Sequence, residues 1–202
     1  MDKISVIVPC FNEEDVLPLF YQEVTKVLES IENTTYELLF INDGSSDHTE
    51  DLIKLMAHKN KQCFYYSFSR NFGKEAAMYA GLENATGDYV VIMDADLQHP
   101  PYLLKEMYRS LKEENYDCSA GKRIDRTGEG KLRNFLSHSF YKVIQTLTKM
   151  DMDDGAGDFR MMTRQMVDAI LELKEYNRYM KGLFSFVGFN TKWLEFHNVE
   201  RQ

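Results

Sequence analysis

The sequence predicts one α/β domain with three layers, in which helices cover both faces of a mostly parallel central sheet. Three observations support this fold class. Short apolar runs rich in β-branched residues alternate with stretches of helical periodicity from about residue 4 to residue 120. The connections between them are short and rich in turn residues, as in βαβ units. The 202 residues are enough for one sizeable core.

The first half of the chain repeats a strand–helix unit, which indicates a Rossmann-like layout. Pro9 is expected to stop the first strand, because proline cannot donate to a sheet ladder. Ser46 or Asp47 can cap the second helix. We predict strands at Ile4–Val8, Glu37–Ile41, Cys63–Phe68, Tyr89–Met93 and Tyr116–Ala120, and helices at Glu13–Ile31, Thr49–His58, Lys74–Asn84 and Pro101–Glu114.

The pattern changes after Gly121, although no repeat or low-complexity linker marks a second domain. We therefore predict a single domain, 1–202, with halves 1–121 and 122–202. For the second half we predict a mobile polar loop at Lys122–Gly130, a long amphipathic helix at Leu132–Met150, an acidic glycine-rich loop at Asp151–Arg160, helices near Arg164–Leu173 and Arg178–Phe186, and a last strand at Thr191–His197.

Composition restricts the classes of partner and compartment. The net charge is -8 and there is no basic tract, which argues against nucleic acid as a partner. Cys10, Cys63 and Cys118 are odd in number and far apart, so they are expected to be reduced structural thiols of a cytosolic protein. We expect no signal peptide, and no apolar run approaches the length of a membrane span.

Asp94 and Asp96 form a D-x-D sequence directly after the fourth predicted strand. Two carboxylates are costly in a core, so the chain must have reached the edge of the sheet there. The carboxyl ends of parallel strands are where α/β sheets bind ligands. Mg²⁺ and Mn²⁺ prefer such hard oxygen ligands. The alternative is a solvated acidic turn that caps the following helix.

Polar residues also follow the first three strands, at positions that parallel strands bring to the same rim. They are Asn12 and Glu13, then Asp43, then Arg70 and Asn71. Asp43 could accept a hydrogen bond from a nucleobase, with Gly44 allowing close approach. The alternative for Asp43-Gly44-Ser45-Ser46-Asp47 is an ordinary turn followed by a helix cap.

Two further groups lie in the second half of the chain. Asp158 follows Gly155-Ala156-Gly157 and could face the metal across a cleft, as a base for an attacking hydroxyl. From spacing alone, an acidic helix-capping loop is favoured slightly. Arg123 and Arg126 could hold phosphates, or could belong to a solvated face.

Taken together, these elements resemble family 2 glycosyltransferases of GT-A fold. The resemblance covers nearly the whole chain. Within that family, the chain resembles more narrowly the polyprenyl-phosphate glycosyltransferases, which are the group of dolichol-phosphate mannose synthase and bactoprenol glucosyltransferase. The motifs that carry it are Ser5-Val-Ile-Val-Pro9-Cys-Phe-Asn12-Glu13, Asn42-Asp43-Gly-Ser-Ser-Asp47, Asn71-Phe-Gly-Lys74, Asp94-Ala-Asp96-Leu-Gln98-His99-Pro100-Pro101 and Gly157-Asp158-Phe159-Arg160.

The resemblance implies inverting, metal-dependent transfer of a sugar from a nucleotide-sugar to a polyprenyl phosphate. UDP-glucose is the favoured donor, before UDP-N-acetylglucosamine and GDP-mannose, with Mg²⁺ or Mn²⁺ as cofactor. Residues 1–121 would bind the nucleotide and residues 122–202 would face the acceptor. The implied site residues are Pro9, Phe11, Glu13, Asp43, Asp94 and Ala95 for the nucleotide, Asp96 and Asp158 for metal and catalysis, and Gln98, Arg123 and Arg126 for the donor sugar and phosphate.

The resemblance also implies a place in the cell. Relatives of the bactoprenol type continue into transmembrane helices, so we expect the chain to be an excised catalytic domain from the cytoplasmic face of a membrane. The resemblance does not decide whether the chain forms a homo-oligomer. The apolar and basic stripe of Leu132–Met150 suits a membrane interface, and packing on the core explains it about as well.

Three alternative functions were weighed. The first is a glycosyltransferase that uses a saccharide hydroxyl, as in capsule or cell-wall synthesis. The second is a nucleotidyltransferase, which would need a glycine-rich basic loop that Pro9–Glu14 does not provide. The third is a non-catalytic nucleotide-sugar binder, which would have no need of all three carboxylates Asp94, Asp96 and Asp158.

Overall fold

The computed structural model describes residues 1–124, 156–174 and 179–197. Arg126, the loop beyond Ile124 and the helix expected at Leu132–Met150 lie outside the described residues. Within the described ranges the chain forms strands β1 (Asp2–Cys10), β2 (Thr34–Asn42), β3 (Cys63–Ser67), β4 (Tyr89–Ile92), β5 (Cys118–Arg123), β6 (Ala156–Thr163) and β7 (Thr191–Phe196), and helices α1 (Leu17–Glu29), α2 (Thr49–Lys59), α3 (Lys74–Asn84), α4 (Leu103–Glu113), α5 (Arg164–Glu172) and α6 (Met180–Phe186).

The seven strands form one sheet in the order β3-β2-β1-β4-β6-β5-β7. Every neighbouring pair is parallel except the two pairs made by β6, which runs antiparallel to both β4 and β5. The predicted mostly parallel α/β fold is therefore confirmed. The carboxyl ends of β1, β2, β3 and β4 share one rim, as the sequence predicts.

Helices cover both faces of the sheet, giving the expected three layers. One buried cluster joins the sheet to α1, α2 and α4, and the other joins it to α3, α5 and α6. Alternate residues of β1 face the two clusters, with Val6 in the first and Ile7 in the second. Helix α3 lies very close to β1, since a Cβ added at Gly81 would fall 2.2 Å from Cγ2 of Ile7.

Two boundaries near the first loop differ from the prediction. β1 continues through Pro9 to Cys10. This is tolerated because β4 pairs only with Ile4–Ile7, so the ladder on that side does not need an N–H from Pro9. α1 begins at Leu17 rather than near Glu13. The Glu13 N–H donates to the Thr49 hydroxyl at 2.8 Å, and the Glu13 carbonyl accepts the Leu17 N–H at 3.0 Å, so residues 13–16 form a turn that leads into the helix.

The larger correction concerns the acidic, glycine-rich loop expected at Asp151–Arg160. Its described part, from Ala156 onward, is the first half of strand β6 in the interior of the sheet. Glycine and aspartate are poor strand formers, so local propensity hides this strand. Burial overrides propensity, because Phe159, Met161 and Met162 are completely buried.

The bounds of β5 also differ from the prediction. β5 runs from Cys118 to Arg123 rather than from Tyr116 to Ala120, so Lys122 and Arg123, expected in a polar loop, lie in a strand that pairs with β7.

The three cysteines are free and buried, which fits structural thiols. In the ranges that the structure describes, no helix combines the length and the apolar character needed to cross a bilayer.

Candidate functional site

A cavity of about 290 Å³ opens at the carboxyl ends of β1, β2 and β4. The residues predicted for the nucleotide line it together with the predicted metal ligand Asp96. They are Pro9, Phe11, Glu13, Asp43, Asp94 and Ala95. Phe11 is 45% exposed, so its ring is available at the cavity wall. The rim predicted from four separate strand ends is thus one concave surface.

The first two loops of the rim are tied to each other by hydrogen bonds. Asn12 has a left-handed backbone, with φ of 55°, and its side-chain oxygen accepts the Ser46 N–H at 2.9 Å. Asp47 accepts the N–H of Glu14 at 3.2 Å, and Glu14 accepts the N–H of His48 at 2.8 Å. Asn12 therefore shapes the loops and does not line the cavity, whereas Glu13 does.

Asp43 connects the second loop to the third. The side chain is buried, with 3% of the residue exposed. One carboxylate oxygen accepts the Phe72 N–H at 2.7 Å and the other accepts the Gly73 N–H at 2.9 Å. Gly44 cannot carry a side chain here, because an added Cβ would lie 2.4 Å from the Arg70 carbonyl carbon. Asp43 and Gly44 together fix the loop that precedes α3.

Lys74, the first residue of α3, lies between two carboxylates of the rim. Its ammonium nitrogen is 2.7 and 2.8 Å from the two oxygens of Asp94, and 2.8 Å from Oδ2 of Asp158. Burial by itself would lower the pKa of Lys74, but the two carboxylates outweigh burial and raise it. Asp94 and Asp158 are therefore brought together around one cation.

The antiparallel strand β6 explains how Asp158 reaches this rim. Ile92 of β4 pairs with Arg160 of β6, so continuing the register places residue 94 opposite residue 158. Burial alone would raise the pKa of Asp158, but the Lys74 ammonium holds it below its usual value. The other oxygen, Oδ1, is buried and accepts no hydrogen bond from the residues that the structure describes.

Asp96 occupies a turn whose backbone is held in an uncommon conformation. Its Oδ1 accepts the Gln98 N–H at 3.1 Å. Between them, Leu97 is buried with φ of 56°, the left-handed region that bulky residues rarely adopt. Packing of Leu97 into the core thus sets the direction in which Asp96 and Gln98 leave the backbone.

The remaining predicted residues are outside the cavity wall. Gln98 and Arg123 do not line it, and Asp158 reaches it only through Lys74. Arg123 is exposed at the carboxyl end of β5, on the same side of the sheet as the rim. The placement of Arg126 belongs to the part of the chain that is not described.

Two residues of the site, Lys74 and His99, were not predicted to have a role, although both occur in the motifs that carry the resemblance. The His99 ring stacks on Phe159 at 4.8 Å between centroids. Burial lowers the pKa of His99, against the opposing effect of Asp94. No signal in the sequence pairs Lys74 with Asp158, because they lie 84 residues apart and meet only through β6.

A second, larger groove of about 770 Å³ runs along α4 beside the start of β2. Its polar lining mixes both signs of charge, with Lys105, Arg109, Glu106 and Glu113 among the residues. It contains none of the rim carboxylates, so the smaller cavity is the candidate site.

Two relatives are similar in sequence to nearly the whole of this chain. The chain is 46% identical over 199 residues to the glycosyltransferase CsbB of Bacillus subtilis, covering 98% of this chain and 60% of that protein. It is 39% identical over 199 residues to the bactoprenol glucosyl transferase of Shigella phage SfX, covering 98% of this chain and 65% of that protein. The chain therefore spans about three fifths of the length of these relatives.

The fold is shared with a solved glycosyltransferase. The mannosyltransferase PcManGT from Pyrobaculum calidifontis, solved in complex with GDP-Man and Mn²⁺, superimposes with a TM-score of 0.68 at 18% identity, covering 99% of this chain and 57% of that one. The shared architecture is the GT-A fold. Residues 5–171 match the family described as Glycosyl transferase family 2, and the chain belongs to that family.

Proposed function

We propose that this chain carries out the inverting transfer of a sugar, with UDP-glucose as the favoured donor, to the phosphate of a polyprenyl phosphate. The observation that carries the proposal is the convergence of Asp94, Asp96 and Asp158 at one cavity rim. The relative named as a bactoprenol glucosyl transferase supports the choice of glucose and of a lipid acceptor.

The cavity residues divide by chemistry into a base side and a phosphate side. Phe11 offers an exposed aromatic face, and Pro9, Glu13 and Asp43 lie beside it. We assign these four residues to the base and ribose. Asp94 and Ala95 lie on β4's side of the cavity, and we assign them to the ribose and the diphosphate.

The carboxylates suit a divalent cation. Asp96 and Asp158 offer hard oxygen atoms, and Oδ1 of Asp158 is buried with no hydrogen bond from the described residues. Across those residues, no three histidine, cysteine or acidic side chains form a ready-made metal cage. A cation such as Mg²⁺ or Mn²⁺ would therefore take further oxygens from water and the diphosphate, and it would stabilise negative charge on the leaving diphosphate. The complex of PcManGT with Mn²⁺ supports this cofactor.

The acceptor determines what Asp158 has to do. A phosphate monoester is already ionised near neutral pH, so its attack needs no general base. In the donor-free site the Lys74 ammonium holds the pKa of Asp158 below its usual value, so the carboxylate favours the ionised form that can hold a cation. We therefore assign Asp158 to positioning of metal and acceptor. Gln98 is assigned to the donor sugar, and Arg123 and Arg126 to phosphate.

In this proposal the two halves of the chain bind different substrates. Residues 1–121 bind the donor, and residues 122–202 face the acceptor and supply Asp158. Because the acceptor's hydrocarbon chain lies in a bilayer, the reaction would take place at a membrane surface, on the cytoplasmic side.

The deciding experiment is a matrix of donors and acceptors. UDP-glucose, UDP-N-acetylglucosamine and GDP-mannose are each incubated with a short-chain polyprenyl phosphate or with free saccharides, in Mn²⁺ or in EDTA. We expect metal-dependent glucosylation of the lipid phosphate, with a β-linked product from the α-linked donor by NMR. Transfer only to saccharides would favour the hydroxyl-acceptor alternative. Absence of any transfer or donor hydrolysis would favour the nucleotide-sugar binder.

Asp96 provides a direct test of the metal assignment. Asp96→Asn preserves shape but removes the charge, and it should abolish both transfer and the Mn²⁺-dependent part of UDP binding, measured by calorimetry with and without Mn²⁺. Asp51→Asn on exposed α2 is the matched control, and it should behave like the parent. Unchanged Mn²⁺-dependent UDP binding by Asp96→Asn would remove Asp96 from the metal site.

A further inference from the structure

The Lys74 ammonium is held between two carboxylates of the rim, Asp94 and Asp158. Both oxygens of Asp94 and Oδ2 of Asp158 lie within 2.8 Å of Nζ. The side chain of Asp158 is only 13% exposed, whereas that of Lys74 is 41% exposed. The lysine therefore approaches the buried carboxylate from the open side of the cavity that it lines.

This placement differs from that of an ordinary surface ion pair. Gly73 precedes Lys74 with φ of 96°, and the Gly73 N–H is held by Asp43, so the start of α3 is fixed from the nucleotide side. The ammonium holds Oδ2 of Asp158, the carboxylate whose other oxygen, Oδ1, is buried and open to a divalent cation. Because two cations at one carboxylate repel each other at short range, the ammonium and the divalent cation compete.

We propose that Lys74 is the resident counter-ion of the donor-free site, and that a divalent cation arriving with a nucleotide diphosphate displaces it from Asp158. The inference rests on the proposed function, because it takes the rim carboxylates as the place of metal binding. The displaced ammonium then has the diphosphate as its nearest new anion. Metal and nucleotide consequently strengthen each other's binding, as linkage requires.

The test measures Mn²⁺ binding directly, by the EPR signal of free Mn²⁺, with the nucleotide-free protein and then with UDP. Lys74→Met removes the competing charge, so it should bind Mn²⁺ about tenfold more tightly than the parent without UDP, a change equivalent to ~1.4 kcal/mol. UDP should strengthen Mn²⁺ binding in the parent and do so much less in the variant. Lys54→Met, which removes an exposed partner of Glu50, should match the parent.

A merely structural lysine would give the opposite sign, since damage to the site weakens metal binding. Lys74→Gln, which keeps a polar stem, is measured beside Lys74→Met in case the apolar variant fails to fold, and it should also bind Mn²⁺ more tightly. Equal or weaker binding by the folded variant, together with UDP-dependent Mn²⁺ binding by the parent, would overturn the inference alone. Absence of Mn²⁺ binding by the parent even with UDP would overturn the metal site of the proposed function.

Discussion

Asp43 is a buried side chain that both joins two loops and lines the cavity. Its carboxylate accepts two backbone N–H groups from the loop before α3, and the same residue lines the cavity. The sequence suggested either a contact to a nucleobase or an ordinary turn. The hydrogen bonds add a third function, in which Asp43 joins the loops after β2 and β3.

We predict that Asp43→Ala weakens UDP binding by ~1–3 kcal/mol and lowers the free energy of unfolding by a similar amount, since the partly buried N–H groups of Phe72 and Gly73 lose their acceptor. Binding of UDP and of pyrophosphate, measured by calorimetry, separates the two causes. If Asp43 reads the base, Asp43→Asn loses affinity for UDP and retains it for pyrophosphate. A parallel loss for both ligands would show that Asp43 only shapes the loop.

Asp158 has a different expected profile, because it lies outside the cavity wall and is paired with Lys74. We predict that Asp158→Asn lowers the transfer rate at saturating donor by roughly tenfold or more, a barrier increase of ~1.4 kcal/mol, with donor affinity within a few-fold. The acceptor phosphate has its second pKa near 6, so the ratio of parent to variant rates should stay constant from about pH 7 to pH 9. A ratio that falls as the pH rises, because hydroxide replaces the missing base in the variant, would indicate that Asp158 acts as a base.

At the scale of single residues, the site was predictable where a strong strand signal ends in a polar residue. Asp94 and Asp96 follow a completely buried run, so their place on the rim follows from parallel topology alone. The contacts of Lys74 were not predictable, because they depend on a strand whose composition resembles a loop. Pairing across 84 residues leaves no periodic trace in the sequence.

At the scale of elements, strands with continuous apolar runs and helices with a clear stripe were predicted well, and α3 was predicted at its observed bounds. The loop predicted at Asp151–Arg160 was wrong because Ala156, Gly157 and Asp158, which begin β6, are individually poor strand formers. β6 is stable because both of its edges are paired and its core positions are buried. Packing therefore decided the structure of this segment, and local sequence could not.

Away from the candidate site, β2 contains a buried glutamate, Glu37, whose contribution to stability can be tested by its dependence on pH. Glu37 of β2 accepts from the Ser5 hydroxyl at 2.6 Å and the Thr86 N–H at 2.7 Å, and pairs with the Lys3 ammonium at 2.6 Å. Burial by itself would raise the pKa of Glu37, but these three partners hold it below the ordinary value of 4.5. The folded state therefore favours the ionised form.

The contribution of Glu37 to stability is complete above about pH 4.5 and is lost as the pH falls through its lower folded pKa. We predict that Glu37→Gln reduces the free energy of unfolding at pH 7 by ~1–3 kcal/mol and makes the loss of stability in acid shallower, by urea unfolding at several pH values. Glu83→Gln, at an exposed position on α3, should leave the acid profile unchanged.

At the scale of the whole molecule, β6 is the only described strand that joins β3-β2-β1-β4 to β5-β7 within the sheet. The core on one face also crosses this junction, because Phe159 is fully buried and its ring lies 6.3 Å from that of Phe196 on β7. We therefore expect the two sets of strands to unfold as one unit.

Trp193, the single tryptophan, reports on β7, and hydrogen exchange of β1 amides reports on the other side. We predict that the two probes give the same free energy of unfolding, and that Phe159→Ala lowers both by ~3–5 kcal/mol. Phe186→Ala, at an exposed ring on α6, is the control and should change neither by more than about 0.5 kcal/mol. A loss confined to Trp193 would show two independently stable parts.

The insertion of β6 also has a consequence for synthesis on the ribosome. β4, α4 and β5 emerge first as a βαβ unit, and such units normally pair their two strands directly. Here the final neighbour of β4 is β6, which is translated roughly 3–13 s later at typical elongation rates. During that interval the backbone N–H and C=O groups on one edge of β4 are unpaired, and they can pair with β5 or with another chain. A nascent chain that pairs β4 with β5 must release that contact before β6 can insert between them and bring Asp158 to the rim.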